Sequence, residues 1–381
     1  MQETLEPVSV KLSPLDDAHR RSSATMIERN GWSVPSSYGD VLFEYAAIRE
    51  RGAGLIDLSC RGRLLVSGSE AVPFLNGLIT NDMKTLAANH WMPAVFPNVQ
   101  GRILASIRVI HQASSDSFLI DTEPATHGQV LKIIERFTLA GDFHVTDVTE
   151  QTALLSIQGA NAQEIIRTLF GDDAANLEQN QLTQTNWEQT SLTVIRASHT
   201  GANGYDLIVA ATSAAALWEA LVHAGARPVG FDAVEILRIE AGQPRFGIDM
   251  DETNVVSETG LDDAVSFTKG CYLGQEIIAR IKYRGHVAKK LSGLMLDPTT
   301  NIDREGKINS ADGKEIGRVT STTFSPHLGG VIALAYLKYD YLAASTEVIV
   351  RSGDSEFPAR VVELPFMRSG EDSKPAEQAK E

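Results

Sequence analysis

The sequence predicts an α+β protein that ends in a small antiparallel β-barrel. Three observations carry that expectation. Up to about residue 287, stretches with helical spacing alternate with short apolar strands. Beyond Lys290 only short strands follow, cut by Asp312-Gly313, Ser325-Pro326, Gly329-Gly330 and Ser352-Gly353-Asp354. With 381 residues, 43% hydrophobic and 22% charged, the chain has the composition of an ordinary globular protein of two or three domains.

The elements follow in order. Val41 to Arg49 spaces Leu42, Tyr45 and Ala46 as one helical face. Arg63 to Val66 reads as a strand and Ala71 to Leu78 as a helix, after which Thr80-Asn81-Asp82 favours a turn. Ile103 to Ile110 and Phe118 to Asp121 read as strands. Thr126 to Leu139 is an amphipathic helix carrying Val130, Ile133, Ile134 and Phe137. Ala153 to Ile157 is a strand, followed by a helix from Asn161 to Phe170 that Gly171 closes. Leu192 to Arg196 and Tyr205 to Ala210 are strands, and Ala214 to Ala224 and Asp232 to Ala241 are helices ended by Gly225 and Gly242. The final strands are Leu291 to Leu296, Glu315 to Thr320, Val331 to Leu337, Glu347 to Val350 and Ala359 to Leu364.

Composition excludes several classes. Thirty-four Lys+Arg against 49 Asp+Glu leave a net charge of −15, so a general grip on nucleic acid is not expected. The longest apolar run, Val331 to Leu337, is far short of a membrane span, and the acidic first 17 residues do not form a signal peptide. Two cysteines, Cys60 and Cys271, exclude a disulfide framework and fit a reducing, cytoplasmic location. No dinucleotide fingerprint, Walker A loop, H-E-x-x-H or nucleophile elbow occurs, and the nine histidines form no pair at metal-binding spacing, so no metal site is expected.

One segment carries chemistry: Lys269-Gly270-Cys271-Tyr272-Leu273-Gly274-Gln275-Glu276, running into a helix toward Arg280. A thiol near a helix N-terminus, two residues from Lys269, would be stabilised as thiolate. The same cysteine could equally be a small apolar filler. Between Lys269 and Lys290, six basic residues face Glu276 alone, a local inversion of charge that would attract a carboxylate or phosphate ligand or mark a solvated stretch. Upstream, Arg238 could clamp a carboxylate or pair with Glu235 or Glu240.

The cysteine segment resembles the signature of the YgfZ-type folate-binding proteins, relatives of the glycine cleavage T-protein. Thr80-Asn81-Asp82, Gln100-Gly101-Arg102-Ile103-Leu104, Arg238 to Gly247 and Gly317-Arg318-Val319-Thr320-Ser321 extend the resemblance over roughly Gly31 to Leu364. It implies a T-protein-like three-domain ring. The extents are an N-terminal extension (1–30), a folate-binding region of two intertwined α+β subdomains (31–286), a β-barrel (287–366) and a disordered tail (367–381). It implies tetrahydrofolate or a derivative as ligand, with Asp82, Tyr205, Asp206, Arg238, Glu240, Tyr272, Gln275, Glu276 and Arg280 as binding residues. It further implies a role in iron–sulfur cluster assembly or repair for client enzymes, including tRNA-modifying ones. Cys271, helped by Lys269, would be the working residue, in transient contact with the cluster. The alternative is folate-dependent aminomethyl transfer. Against that alternative, Ala105 or Ser106, and Ala202, stand where T-proteins carry carboxylates, with Asp82, Asp206 or Glu240 as possible substitutes.

Overall fold

The computed structural model describes residues 10–113, 117–136, 138 and 141–367. Two compact units interleave along the chain. Unit 1 takes the described residues up to Arg63 together with Asp147–Ser198 and Asn203–Val234; unit 2 takes Leu64–Thr146, His199–Ala202 and the chain from Glu235 on.

Unit 1 opens with β1 (Lys11–Leu12), α1 (Asp16–Arg21), β2 (Thr25–Arg29), β3 (Trp32–Ser37), α2 (Val41–Arg49) and β4 (Gly54–Asp57). The chain then supplies unit 2 with β5 (Gly62–Ser67), α3 (Ala71–Leu78), β6 (His90–Pro97), β7 (Ile103–His111), β8 (Ser117–Thr122), α4 (His127–Glu135) and β9 (His144–Asp147). It returns with β10 (Thr152–Gln158), α5 (Ala162–Phe170), α6 (Asp172–Ala175), β11 (Leu182–Trp187), β12 (Thr190–Arg196), β13 (Gly204–Ala210), α7 (Ala214–His223), β14 (Arg227–Pro228) and α8 (Phe231–Glu240). The last part holds α9 (Gln275–Arg284), β15 (Lys289–Leu296), β16 (Lys307–Asn309), β17 (Glu315–Ser325), β18 (Gly330–Lys338), β19 (Glu347–Ser352) and β20 (Ser355–Val362).

In unit 1, β11-β12-β13-β10-β4-β14 form one sheet and β1-β3-β2 a smaller one. The core is built on alternate residues, such as Leu155 and Ile157 of β10 and Tyr205, Leu207 and Val209 of β13, with Leu217, Trp218 and Leu221 of α7. Apolar spacing gives no element before Gly31, yet Lys11–Arg29 supplies β1, α1 and β2. A polar network fixes this segment. Asp57 accepts from Ser13 Oγ, from His19 Nε2 at 2.9 Å and from the Ser59 amide at 2.8 Å, while Tyr38 Oη meets His19 Nδ1 at 2.8 Å. Burial alone would raise the Asp57 pKa; the bonds from His19, Ser13 and Ser59 outweigh it and hold the carboxyl below its ordinary value.

In unit 2, β6-β7-β8-β5-β9 form a five-stranded sheet over α3 and α4, with Leu64, Leu75, Ile107 and Ile134 in the core. The expected helix from Thr126 ends at Glu135; Phe137 and Leu139 lie outside the described residues, as does the expected tail beyond Met367. The expected C-terminal barrel is present and closed, in the order β15-β18-β17-β16-β19-β20, all pairs antiparallel. Its interior is aliphatic: Leu294, Ile308, Ile316, Val319, Ala335, Val350 and Val361.

Candidate functional site

The site is built in unit 2 around the turn that follows α3. Lys269 is 7% exposed, and its Nζ donates to the carbonyls of Asn76 (2.7 Å), Ile79 (3.0 Å) and Asn81 (2.6 Å). An ammonium has three N–H donors, so these bonds commit all of them to the turn. Burial pushes its pKa down to about 8, against the pull of Asp82. The expectation that Lys269 supports a Cys271 thiolate thus gives way to a structural role. The Lys269 cation also lies over the Tyr272 ring, 4.9 Å from its centroid. Tyr272 is buried with Ile278, Val95 and Ile103, and burial raises its hydroxyl pKa to about 12.

The Thr80-Asn81-Asp82 turn is tied to the same segment. Thr80 Oγ1 donates to Ala264 O at 2.6 Å, and the Ser266 amide donates to Thr80 O at 3.0 Å. Asn81 Nδ2 donates to Pro93 O at 2.8 Å and to Asp263 O at 3.2 Å. Asp82 is partly exposed, and its Oδ1 accepts from the Lys84 amide at 3.0 Å. Cys271 is exposed at the end of this buried anchor. A Cβ on its neighbour Gly270 would meet nothing within 4 Å.

Gly274 starts α9 in the left-handed region, at φ +77°. A Cβ there would sit 2.4 Å from Asn98 O and 2.9 Å from the Cα of Gly101. Gly101 is itself left-handed, at φ +69°. Two glycine turns therefore pack backbone to backbone, which places the Gln100-Gly101-Arg102 stretch against the start of α9. Beyond it, Gln275 is partly exposed and Glu276 and Arg280 are exposed. Lys282 lies over the Phe267 ring at 5.0 Å, and Arg280 and Arg284 make no ion pair among the described residues. Of the basic stretch, Lys290 meets Asp262 at 3.7 Å and Lys289 lies over the Tyr336 ring at 4.9 Å.

Arg238 and Glu240 have other partners. Arg238 Nη1 donates to Asp249 at 2.6 Å and to Gln243 O at 3.1 Å; Nη2 donates to Ser321 Oγ at 2.6 Å and to Glu235 at 2.5 Å. Asp249 Oδ1 also accepts from Thr320 at 2.6 Å and Ser321 at 2.7 Å. The hydroxyls converge because β17 carries a bulge: Val319 pairs Ala335 and Ser321 pairs Leu334, leaving Thr320 as the extra residue. Glu240 accepts from Ser325 Oγ at 2.5 Å and is fully buried. These two residues join the end of α8 to the barrel rather than facing a ligand. Burial would lower the Arg238 pKa, but Glu235 and Asp249 outweigh it and raise it. Tyr205 and Asp206 belong to unit 1. Tyr205 lies in its core with Oη donating to Ala175 O at 2.5 Å, and Asp206 is fully buried in β13. Ala105 is fully buried in β7 and Ala202 almost so.

The comparisons with known proteins can now be set beside this geometry. The GCVT N-terminal domain model matches residues 15–269, and the glycine cleavage T-protein C-terminal barrel domain matches 289–367. The chain belongs to the glycine cleavage T-protein family. It is 33% identical over 371 residues to an aminomethyltransferase of Symbiobacterium thermophilum, covering 95% of this chain and 98% of that protein. An aminomethyltransferase of Rubrobacter xylanophilus is 32% identical over 361 residues, covering 94% and 95%. The crystal structure of aminomethyltransferase T from Bartonella henselae superposes with a TM-score of 0.85 at 24% identity, over 94% of this chain and 98% of that one, and so shares its fold. These relatives favour the one-carbon alternative over the iron–sulfur reading. Among the described residues no helix is long and apolar enough to cross a membrane, and no group of three or more His, Cys, Asp or Glu is placed to hold a metal ion.

Sequence reading missed Asn76 and Asn98. Asn76 offers its carbonyl to Lys269 and its Oδ1 to the Met83 amide at 2.9 Å; Asn98 folds the Gly101 turn by accepting from the Gln100 and Arg102 amides. Asparagine followed by Gly77, and asparagine three residues before Gly101, are the turn signals that would have found them.

Proposed function

We propose that this chain binds tetrahydrofolate and acts as an aminomethyltransferase. The observation that carries the proposal is the end-to-end match, at 32–33% identity, to proteins named aminomethyltransferase. Transfer to a folate nitrogen requires a group that accepts or returns a proton. Ala105 and Ala202 cannot do this, and Asp206 and Glu240 are fully buried. Asp82 is partly exposed beside the Lys269 turn and takes that role in this reading. Arg280 and Arg284, exposed and without ion pairs among the described residues, suit the glutamyl carboxylates of the same ligand.

The test is turnover with purified protein, tetrahydrofolate and an aminomethyl-loaded carrier, read as methylene-tetrahydrofolate. Wild type turns over, and Asp82→Asn lowers kcat by roughly 100-fold while folate affinity persists. No turnover and no folate affinity in the wild type would sink the proposal.

A second reading rests on Cys271, exposed within Lys269-Gly270-Cys271-Tyr272-Leu273-Gly274-Gln275-Glu276. Here the protein is a YgfZ-type factor that binds a reduced folate and supports cytoplasmic iron–sulfur enzymes, among them tRNA-modifying ones, through that thiol. In cells lacking their own family member, wild type would restore iron–sulfur-dependent tRNA methylthiolation and Cys271→Ala would not. Equal rescue by both removes the thiol from the account.

A further inference from the structure

Unit 1 holds a cleft of about 540 Å³ lined by Lys11, Leu12, Ser13, Pro14, Trp32, Thr149, Glu150, Ala211 and Thr212. No residue of the Lys269 to Glu276 segment lines it. Its volume falls in the range of small-molecule sites. Its base is rigid: Trp32 is 7% exposed and Thr149 4%. Ser13 is held by the Asp57 carboxylate and accepts from the Leu15 amide at 3.1 Å. Thr149 Oγ1 accepts from the Arg63 amide at 2.9 Å and donates to Asp147 at 2.5 Å.

The rim carries opposite charges. Lys11 Nζ and Glu150 Oε1 pair at 2.8 Å with both side chains more than half exposed. Such a pair contributes little to stability, so exchanging it for a ligand's charges costs little. Leu12, Pro14 and Ala211 are apolar members of the lining, and Thr212 is a polar one.

We propose that this cleft binds a free α-amino acid with a bulky apolar side chain. Lys11, whose ammonium lies over the Trp32 ring 5.5 Å from its centroid, takes the carboxylate, Glu150 takes the ammonium, and the side chain lies against Leu12 and Pro14. Two opposite charges beside apolar side chains complement a zwitterion, and a ligand with one charge would leave the other rim residue without its partner.

Calorimetric titration of the full chain with leucine, phenylalanine and tryptophan tests this. Saturable binding is expected, with Kd raised roughly tenfold by N-acetylation, by methyl esterification, and by Lys11→Ala or Glu150→Ala in the protein. Both rim residues are exposed, so the variants keep the fold, and unchanged far-UV circular dichroism checks that. Absence of saturable binding up to about 10 mM, or binding indifferent to both rim variants, overturns the proposal. Binding that survives esterification but not N-acetylation assigns the cleft to a peptide N-terminus and overturns it equally.

Discussion

Two buried cations in unit 2 are held in opposite ways. Arg238 meets carboxylates, Asp249 and Glu235, and hydroxyls set by the β17 bulge. Lys269 donates hydrogen bonds to backbone carbonyls, those of Asn76, Ile79 and Asn81. The first pairing raises the cation's pKa and fixes the charge; the second leaves burial dominant and lowers it. A guanidinium between two acids is a clasp between helix and barrel. An ammonium on carbonyls shapes a turn and places a thiol and a carboxylate at its surface.

The comparison can be broken first at the clasp. Asp249→Ala leaves Arg238 with Glu235 as its one carboxylate and takes the acceptor from Thr320 and Ser321, and should cost roughly 3 kcal/mol, read as a lowered urea midpoint. A loss below ~1 kcal/mol would show that the clasp carries no such charge dependence.

Next is the glycine contact that seats the motif. Gly274→Ala meets Asn98 O and a left-handed backbone, and should cost about 2–3 kcal/mol by the same measurement. Gly270→Ala, facing open space, should stay within ~0.5 kcal/mol. Equal effects would mean that the packing of Gly274 on Gly101 does not hold the segment.

Lys269→Met should cost about 1–3 kcal/mol by orphaning carbonyls, and it carries a pH signature. The folded pKa of about 8 lies below the ordinary 10.5, so the unfolded chain binds more protons between those values. Stability from this group therefore rises with pH through that window and is flat below it. Wild type should gain stability from pH 8 to 10 relative to Lys269→Met; identical slopes would return Lys269 to an ordinary pKa. The raised pKa of Arg238 gives the clasp no such dependence below pH 12.

The smallest effect belongs to Cys271→Ser. The side chain is exposed, so stability should change by less than ~0.5 kcal/mol while labelling by a thiol reagent at this position is lost. A larger loss would show that the thiol packs rather than faces solvent.

Strongly patterned elements were legible. Val41–Arg49 and Ala71–Leu78 form helices with the expected bounds, and the barrel follows from its turn signals. The strands that escaped have weak patterns for physical reasons. β6 carries Pro93 and Pro97 and lies at the edge of its sheet, where missing amide donors are tolerated. β11 is the edge of the other sheet, and its polar residues Thr183, Gln184, Thr185 and Asn186 hide its period. The N-terminal segment is held by Asp57, His19, Ser13 and Tyr38, polar residues that hydrophobic periodicity does not register.

For the site, the sequence by itself determined the relation to the glycine cleavage T-protein, the Lys269 to Glu276 segment with its one thiol, and the absence of carboxylates at Ala105 and Ala202. These depend on residue identity, which the chain states directly. Only the tertiary structure decided what each side chain touches. It turned Lys269 away from the thiol toward three carbonyls, gave Arg238 to Asp249, buried Asp206 and Glu240, and left Asp82 and Cys271 accessible. A cation's role depends on which acceptors reach it after folding, and here those acceptors lie as far as 193 residues away along the chain.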